Sequence, residues 1–419
     1  MVVTVAVIAV AAAFFRAIAI PKWHTLWAED GSIFAACAYG NAPISCFVTA
    51  YQGYIHFVPR LSAAISVLFD PRLLPLAITT CAAIANAIAA AFAARAIAQA
   101  TGSRAMGLLG GAGLVLVYQA GWEVGGELGN AHLVLFAATA IVLVCGWLGR
   151  PCDRFDWALI VVTGLTTAFA PALPVLALGG IVARTVRARS TALLTAAAVV
   201  PQLVAEVTNR REYVGHPVSL IDTIAGFWRL VVREGFYGPT HPFWGEVTFV
   251  AVVAAVASLT ILAIVTLRLE GRTGLDAAWP AIATGGLIGL AAGTWIVSVQ
   301  VNGGLTPRYA YEPTALLIAA LAVGTGLLGR VGIRAFAGWP RMIASVRAPS
   351  AAATVAVSVV IGLAFAATFR LQARSSYGPD ATAEIRSAPP CAAGSEVQIR
   401  ISPIKSPWFV PIPCDRLGR

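Results

Sequence analysis

Long apolar stretches recur along the whole chain, separated by short polar loops. A helix of about 20 apolar residues spans the hydrocarbon core of a bilayer, because it satisfies all of its backbone polar groups internally. Of the 419 residues, 58% are hydrophobic and only 11% are charged, whereas a typical soluble domain has about 25% charged residues. The pattern predicts an all-α, polytopic integral membrane protein with about 11–12 transmembrane helices.

Eleven of these stretches are predicted to cross the membrane as helices. They cover residues 2–20, 73–97, 104–119, 130–148, 156–171, 172–186, 190–206, 246–268, 277–299, 311–329 and 350–369. Pro171 and Pro174 interrupt the fifth and sixth stretches, which are therefore expected to form a kinked or re-entrant pair. The first stretch lacks the basic start and the cleavage site of a signal peptide, so we expect it to remain as a membrane helix.

Basic residues are concentrated on one side of the predicted helices. The loops on that side carry thirteen arginines and four acidic residues, whereas the other side carries equal numbers of acidic and basic residues. By the positive-inside rule, the arginine-rich side is cytoplasmic in a plasma (inner) membrane. The N-terminus is then cytoplasmic and the C-terminal tail is extracytoplasmic. The formal net charge of +10 follows from this topology, and no nucleic-acid partner is expected.

The same orientation sets the domain organisation. It holds only if the short apolar segment 53–69 lies in the plane of the outer interface as an amphipathic or half-buried helix. A transmembrane domain is then predicted at 1–369, with a first extracytoplasmic loop at 21–72 and a large one at 207–245. A small extracytoplasmic tail, with short alternating stretches, is expected at 370–419.

Four of the seven cysteines fall in segments that are predicted to be extracytoplasmic. Cys37 and Cys46 share the first loop, and Cys391 and Cys414 share the tail. Disulfides persist in such an oxidising compartment, so the pairs Cys37–Cys46 and Cys391–Cys414 are predicted, with free thiols as the alternative. No cysteine spacing resembles a zinc site, and no metal is predicted from the ligands.

Two adjacent carboxylates follow the first predicted membrane helix, in the run Trp27-Ala28-Glu29-Asp30-Gly31. Acidic side chains near lipid are costly unless they face a polar cavity. Asp30, or Glu29 as the second choice, could therefore act as a general base that removes a proton from a sugar hydroxyl. The alternative is that Asp30 caps a short helix that starts near Ser32.

Three short motifs resemble the GT-C superfamily of membrane glycosyltransferases, which use polyprenyl-phosphate-linked sugars. Trp27-Ala28-Glu29-Asp30 stands where its members carry an essential acidic residue in the first extracytoplasmic loop. Residues 53–60 (GYIHFVPR) and 127–132 (ELGNAH) are similar to two further segments of bacterial members. The resemblance implies a GT-C-like fold and a lipid-linked sugar donor. Some members also use a divalent metal, for which no ligand set stands out here.

Several polar residues on the predicted outer side are candidate substrate-binding groups, with interfacial or solvated side chains as the alternative. They are His56, Glu127, Asn130 and His132 within the two similar segments. Arg60 lies in an apolar segment and needs an anionic partner or a route to the headgroups. Its partner could be a lipid phosphate, Glu29 or Asp30, and simple snorkelling is the third possibility.

Arg308 and Tyr309 stand at the predicted outer end of the helix 311–329, within the run Thr306-Pro307-Arg308-Tyr309-Ala310. They could hold the phosphate of the donor or contact the acceptor. The alternative is an aromatic anchor at a proline-containing helix start.

These residues favour an inverting glycosyl transfer from a polyprenyl-phosphate sugar to a cell-envelope glycan, glycolipid or protein. The first rival is a membrane transporter or lipid flippase, which would carry charged residues deep within its helices and show repeat symmetry. The second rival is a non-catalytic envelope assembly protein that acts through its outer tail. Replacement of Asp30 by asparagine would leave the function of such a protein intact.

Overall fold

The computed structural model of this chain describes residues 1–19, 23–40, 43–117, 127–209, 217–235, 246–247, 250, 275–336, 379–403 and 408–417. These residues are mostly helical. Within them we label fourteen α-helices, α1 to α14, in chain order. They cover Val2–Ala19, Ala36–Tyr39, Pro43–Val48, Phe57–Ser66, Leu74–Thr101, Arg104–Leu116, Ala131–Trp147, Arg154–Gly164, Ala172–Val182, Ala188–Thr208, Leu220–Gly226, Leu275–Asn302, Tyr311–Phe336 and Ala381–Arg386.

Local polar groups explain where several helices begin and end. At the start of α6, Ser103 Oγ accepts a hydrogen bond from the backbone N–H of Met106. At the start of α8, Asp153 and Asp156 form a reciprocal capping box. Helix α5 ends at Gly102, whose φ of 70° lies in the left-handed region that glycine adopts without a steric cost.

Helix α7 is at the centre of the bundle. Residues 133–146 are all buried, and the helix packs against α5, α8, α9, α12 and α13. A helix that is apolar on every side needs neighbours on every side. Small residues let the surrounding helices approach closely: a Cβ at Gly111 of α6 would lie 2.6 Å from the Cβ of Ala94 and 2.7 Å from the carbonyl oxygen of Ala90, both in α5.

Four helical segments in the described part of the chain are long and apolar enough to cross a membrane. They are Pro71–Thr101, Ala188–Thr208, Ala278–Asn302 and Pro307–Leu327. Shorter apolar helices are present at Val2–Ala12, Arg104–Leu116, Ala131–Trp147 and Ala172–Val182. The mostly helical character that the sequence predicts is therefore confirmed.

Nine of the eleven predicted stretches contain a helix, and the other two, 246–268 and 350–369, lie almost entirely outside the described residues. The helix predicted at 156–171 is shorter than expected, because α8 ends at Gly164. Beyond that end, Thr167 Oγ1 accepts the N–H of Phe169 and stabilises a turn before α9 begins.

The segment 53–69 contains one helix, α4, of ten residues. At 1.5 Å per residue such a helix is about 15 Å long, half of the thickness of a hydrocarbon core. One face of α4 buries Arg60 and Ala63, whereas Leu61 and Ile65 are 39% and 44% exposed. Arg60 and the apolar residues Leu61 and Ile65 therefore lie on different faces of a helix that is shorter than a membrane span.

The described part of the tail forms a small element, which we call the C-terminal cap and define as residues 379–403 and 408–417. It contains α14 and two antiparallel strands, β1 (Glu396–Arg400) and β2 (Phe409–Pro413), with Val397 opposite Ile412. The cap packs on the segment that follows α1 and on the start of α5. Their shared core consists mainly of Leu26, Ala35, Leu74, Ile78, Leu128, Ile385, Ile399, Ile401, Val410 and Ile412.

Both cysteine pairs expected from the sequence are joined in the structure. Cys37 and Cys46 form a disulfide with a Cα–Cα distance of 5.9 Å, and Cys391 and Cys414 form one with a distance of 5.8 Å. The first closes a short loop beside α2 and α3, and the second links two segments of the C-terminal cap.

A cluster of charged side chains lies at the opposite end of α5 and α7 from the C-terminal cap. Asp156 is fully buried and accepts hydrogen bonds from Arg95 at 2.5 Å and from Arg150 at 2.8 Å. Arg95 also contacts Asp153 at 2.9 Å, and Arg150 Nε donates to Gln99 at 2.6 Å. Because the charges are paired, this cluster can be buried without an isolated ion.

Candidate functional site

A cavity of about 720 Å³ lies at the end of the bundle that carries the C-terminal cap. The end of α10, the end of α12, the start of α7 and the turn before α13 surround it, together with the segment that contains Glu29 and the segment 51–56. Its lining includes Trp27, Glu29, Phe34, Tyr51, Gln52, Gly53, Tyr54, His56, Glu127, Gly129, Asn130, His132, Leu133, Phe169, Gln202, Glu206, Val207, Val297, Ser298, Val301, Asn302, Arg308 and Tyr309.

Seven of the nine candidate site residues line this one cavity, although they come from four separate parts of the sequence. They are Glu29, His56, Glu127, Asn130, His132, Arg308 and Tyr309. The other two candidates, Asp30 and Arg60, are close by but are not part of the lining. The structure therefore brings together most of the residues that were selected, and it separates the two adjacent acids from each other.

Asp30 is held beneath the cavity wall by backbone groups. Its side chain is 1% exposed, and its two carboxylate oxygens accept hydrogen bonds from the N–H groups of Leu128 at 3.0 Å and Gly129 at 2.8 Å. It begins a π-helical segment, Asp30–Ala35, in which Ser32 Oγ donates to the carbonyl of Ala28. Asp30 thus joins the first loop to the segment that carries Glu127 and Asn130.

Glu29 differs from Asp30 in its access to the cavity. It lines the cavity and is partly exposed, whereas Asp30 is buried and is not part of the lining. A Cβ atom added to Gly129 would lie 3.9 Å from the Cβ of Glu29. The wall that contains Gly129 is therefore close to the wall that contains Glu29. Of the two adjacent acids, the one on the cavity lining is therefore Glu29, whereas Asp30 was the first choice for a general base from the sequence.

Arg60 lies behind the aromatic wall of the cavity. The residue is 4% exposed, its guanidinium carbon lies 5.7 Å from the ring centre of Phe34, and its Nε has no hydrogen-bond partner in the described part of the chain. The ion pairs found among the described residues do not include it, so pairing with Glu29 or Asp30, one of the three alternatives for Arg60, is not observed. A cation–π contact with Phe34 takes its place.

Two histidines and their aromatic neighbours form one wall of the cavity. The ring of His56 stacks on Tyr54 at 3.8 Å and lies 6.3 Å from the ring of His132. Nδ1 of His132 is 2.7 Å from the carbonyl oxygen of Gly129, and Nδ1 of His56 is 3.2 Å from that of Tyr54. A carbonyl only accepts, so the Nδ1 of each ring carries a proton and donates it to that carbonyl.

The environment of His56 makes the stability of the fold depend on pH. Burial, and then the nearby His132 and Arg60, hold the pKa of His56 well below its usual range, although the bond to Tyr54 opposes this. Below pH about 6.5 the unfolded chain gains a proton at this position and the folded chain does not, so stability falls as the pH decreases.

We therefore expect the temperature of the thermal unfolding midpoint, measured in detergent, to decrease as the pH is lowered from 7.5 to about 5. A His56→Phe variant should lose part of this dependence, whereas the control His24→Phe, at an exposed histidine, should keep it. An unchanged pH profile for His56→Phe would contradict the assignment.

Gln202 of α10 fixes the segment that carries His56. Its Oε1 accepts the N–H of Ile55 at 2.7 Å and its Nε2 donates to the carbonyl of Ile55 at 2.9 Å, so one amide satisfies both backbone groups. The amide is buried, and the same side chain lines the cavity. Polar groups in such a place are costly to leave unpaired.

Gln202→Leu is expected to lower the free energy of unfolding by about 2 kcal/mol or more, because it leaves a buried N–H and a buried carbonyl without partners. The decrease is measured by thermal or denaturant unfolding in detergent. Gln398→Leu, on the exposed face of β1, is the matched control and should change stability little. Equal effects of the two variants would show that the amide has no special role.

Gln202 and Glu206 were not selected from the sequence. They stand one helical turn apart in the stretch Pro201-Gln202-Leu203-Val204-Ala205-Glu206, near the end of an otherwise apolar helix. Two polar residues four positions apart share one face of a helix, and this was the available signal. Tyr51 and Tyr54 carried no comparable signal, because aromatic residues are common at any membrane interface.

The cavity combines carboxylates with one guanidinium. Glu127 is buried and its Oε2 accepts a hydrogen bond from Asn130 at 3.0 Å, whereas Glu206 is exposed. Arg308 lies over the ring of Tyr309, with 5.1 Å from the guanidinium carbon to the ring centre, and donates to its hydroxyl at 3.2 Å. Among the described residues no group of three or more His, Cys, Asp or Glu side chains could hold a metal ion.

Comparison of the chain with protein-family models and with curated protein sequences finds no match. Functional inference therefore depends on the cavity and on the chemistry of the side chains that line it.

Proposed function

We propose that this chain is a polytopic glycosyltransferase of the plasma membrane. It moves a sugar from a polyprenyl-phosphate donor to a cell-envelope glycan or glycolipid at the extracytoplasmic face. The observation that carries the proposal is the convergence of Glu29, His132 and Arg308, from three distant parts of the sequence, on one cavity at the end of the helical bundle.

Several features support a membrane-embedded chain with this orientation. Four helices are long and apolar enough to span a bilayer. Large apolar side chains of α10 are exposed, among them Val200 at 54% and Val207 at 73%; lipid would cover such a face. Both disulfides lie at the cavity end, as they would on an oxidising side. The arginines around Asp156 lie at the other end, as the positive-inside rule requires.

The cavity lining contains apolar side chains suited to a lipid and polar side chains suited to a sugar. Val207 of α10 and Val297 and Val301 of α12 provide apolar lining, which suits the first units of a prenyl chain. Tyr54, His56 and other lining residues carry groups that accept or donate hydrogen bonds. Sugar hydroxyls need such partners, because an unpaired polar group in an enclosed site is costly.

The proposed reaction is a direct displacement with inversion at the anomeric carbon. Glu29 takes the proton of the acceptor hydroxyl while the acceptor oxygen forms a bond to the anomeric carbon. The bond between that carbon and the phosphate oxygen breaks at the same time, and the lipid phosphate leaves as an anion. Arg308, on the lining of the same cavity, stabilises the negative charge where it grows.

The direct test uses the purified protein in liposomes with a panel of polyprenyl-phosphate pentoses and hexoses and envelope glycolipid acceptors. We expect one labelled sugar to be transferred, and polyprenyl phosphate to be released only when an acceptor is present. Movement of intact donor between leaflets without its consumption would favour the flippase instead. Labelling of residues 23–40 with a membrane-impermeant reagent in intact cells tests the orientation, and a cytoplasmic result would exclude the mechanism.

A further inference from the structure

The C-terminal cap bonds directly to the main chain next to Glu29. The N–H of Ser402 donates to the carbonyl of Leu26 at 2.8 Å, and Ser402 forms a parallel β-bridge with Trp27. The N–H of Thr382 donates to the carbonyl of His24 at 3.3 Å. Residues that are more than 350 positions away in the sequence therefore hold the backbone that leads to Glu29.

The C-terminal cap also packs against Gly31, which follows the Glu29-Asp30 pair in the sequence. Gly31 faces Ile401, and a Cβ at position 31 would lie only 2.5 Å from Ile401 Cδ1 and 3.5 Å from Val410 Cβ. Ile401 is 2% exposed and sits in the shared core. The cap thus fits closely against the residue that follows the Glu29-Asp30 pair, and glycine is what allows the approach.

The cap also packs against the part of the cavity wall that residues 127–132 form. Leu128 is fully buried in the core that Ile399, Ile401 and Val410 form, and its backbone N–H is one of the two donors to Asp30. One small core therefore contacts both the segment that contains Glu29 and the turn at residues 127–130, which precedes His132 in α7.

We propose that the C-terminal cap is a positioning element of the site, which sets the carboxylate of Glu29 against the wall formed by residues 127–132. Ile401 and Ser402 act through the backbone of residues 26–31 and do not touch the substrate. The proposal rests on the proposed function for its catalytic consequence, although the positioning itself does not require any particular reaction.

Gly31→Ala tests the proposal in the full-length protein. We expect kcat to fall by about three- to tenfold with little change in the donor KM, because the new methyl group meets Ile401 Cδ1 and a small displacement of a reacting group lowers the rate. Ile401→Val removes the Cδ1 atom that the new methyl group would meet. Combined with Gly31→Ala, it should restore most of the activity.

Gly285→Ala in α12, where a Cβ would meet nothing within 4 Å, is the matched control and should retain wild-type activity. Wild-type kcat for Gly31→Ala, or no restoration by Ile401→Val in a folded protein, would overturn the proposal.

A second readout separates this proposal from the proposed function. In a Glu29→Cys background, the rate at which a thiol reagent labels position 29 should change at least threefold with Gly31→Ala and return with Ile401→Val. The same protein with its native cysteines alone gives the background. An unaltered rate overturns the positioning role. A restored rate, together with absence of polyprenyl-linked sugar transfer by the protein that keeps Glu29, supports the positioning role and defeats only the proposed function.

Discussion

Glu29→Gln is expected to lower kcat for sugar transfer by about a thousandfold, the range of loss for a missing general base. Glutamine keeps the size and the hydrogen-bonding capacity of the side chain but cannot accept the proton of the acceptor hydroxyl. Glu29 lines the cavity, and the bonds that hold the neighbouring wall in place involve Asp30 instead. The folded structure and the donor KM should therefore change little. The measurement is the initial rate of labelled-sugar transfer in liposomes.

Two variants make this result specific. Glu396→Gln lies on the exposed face of β1 and should transfer sugar at the wild-type rate. Asp30→Asn replaces one of two acceptor oxygens by an amide donor, so it should weaken the bonds to Leu128 and Gly129 and reduce thermal stability together with activity. Full activity of Glu29→Gln would refute the proposed base. Loss of activity in Asp30→Asn without any loss of stability would return that role to Asp30.

Asp156→Asn is expected to have the largest effect on stability, a decrease of about 3–5 kcal/mol in the free energy of unfolding. Asp156 accepts hydrogen bonds from both Arg95 and Arg150, and its side chain is fully buried. Asparagine removes one of the two carboxylates of the cluster, so the positive charges of Arg95 and Arg150 are only partly neutralised inside the protein. Removal of one member of a buried charged cluster costs more than the cluster contributes, because the remaining charge is left without its partner.

Unfolding in detergent, followed by heat or denaturant, measures this decrease. Asp415→Asn replaces an exposed carboxylate in the C-terminal cap and should change stability by less than about 0.5 kcal/mol. The Asp156 cluster is at the other end of α5 and α7 from the cavity, so the surviving folded molecules should retain their transfer rate. Equal stability of the two variants would show that the buried cluster is not coupled to folding.

Most of the helices could be predicted from the sequence because their signal is local. A run of apolar residues has to be helical in lipid whatever surrounds it, and the predicted stretches 73–97 and 130–148 differ by only a few residues from α5 and α7. The sequence did not predict the end of α8, because the turn there is stabilised by a hydrogen bond that the hydroxyl of Thr167 accepts from a backbone N–H. Hydropathy contains no information about such a bond.

The candidate site, like the helices, was predicted from the sequence only in part. Residue type and position along the chain selected Glu29, His132 and Arg308, since polar groups next to membrane helices are costly without a purpose. Neither property decides which of two adjacent acids faces the cavity. That choice depends on the two backbone N–H groups of residues 128 and 129, which reach Asp30 from almost 100 residues away.

The sequence alone determined where the chain can be helical, which segments are rich in arginine and which cysteines can meet, because these depend on composition within short segments. Only the tertiary structure decided that the C-terminal cap packs against the segment around Glu29, that Gln202 holds the segment of His56 and that Arg60 packs on Phe34. These contacts join residues far apart in the chain. They form only when the helices pack together, so no single segment of the sequence predicts them.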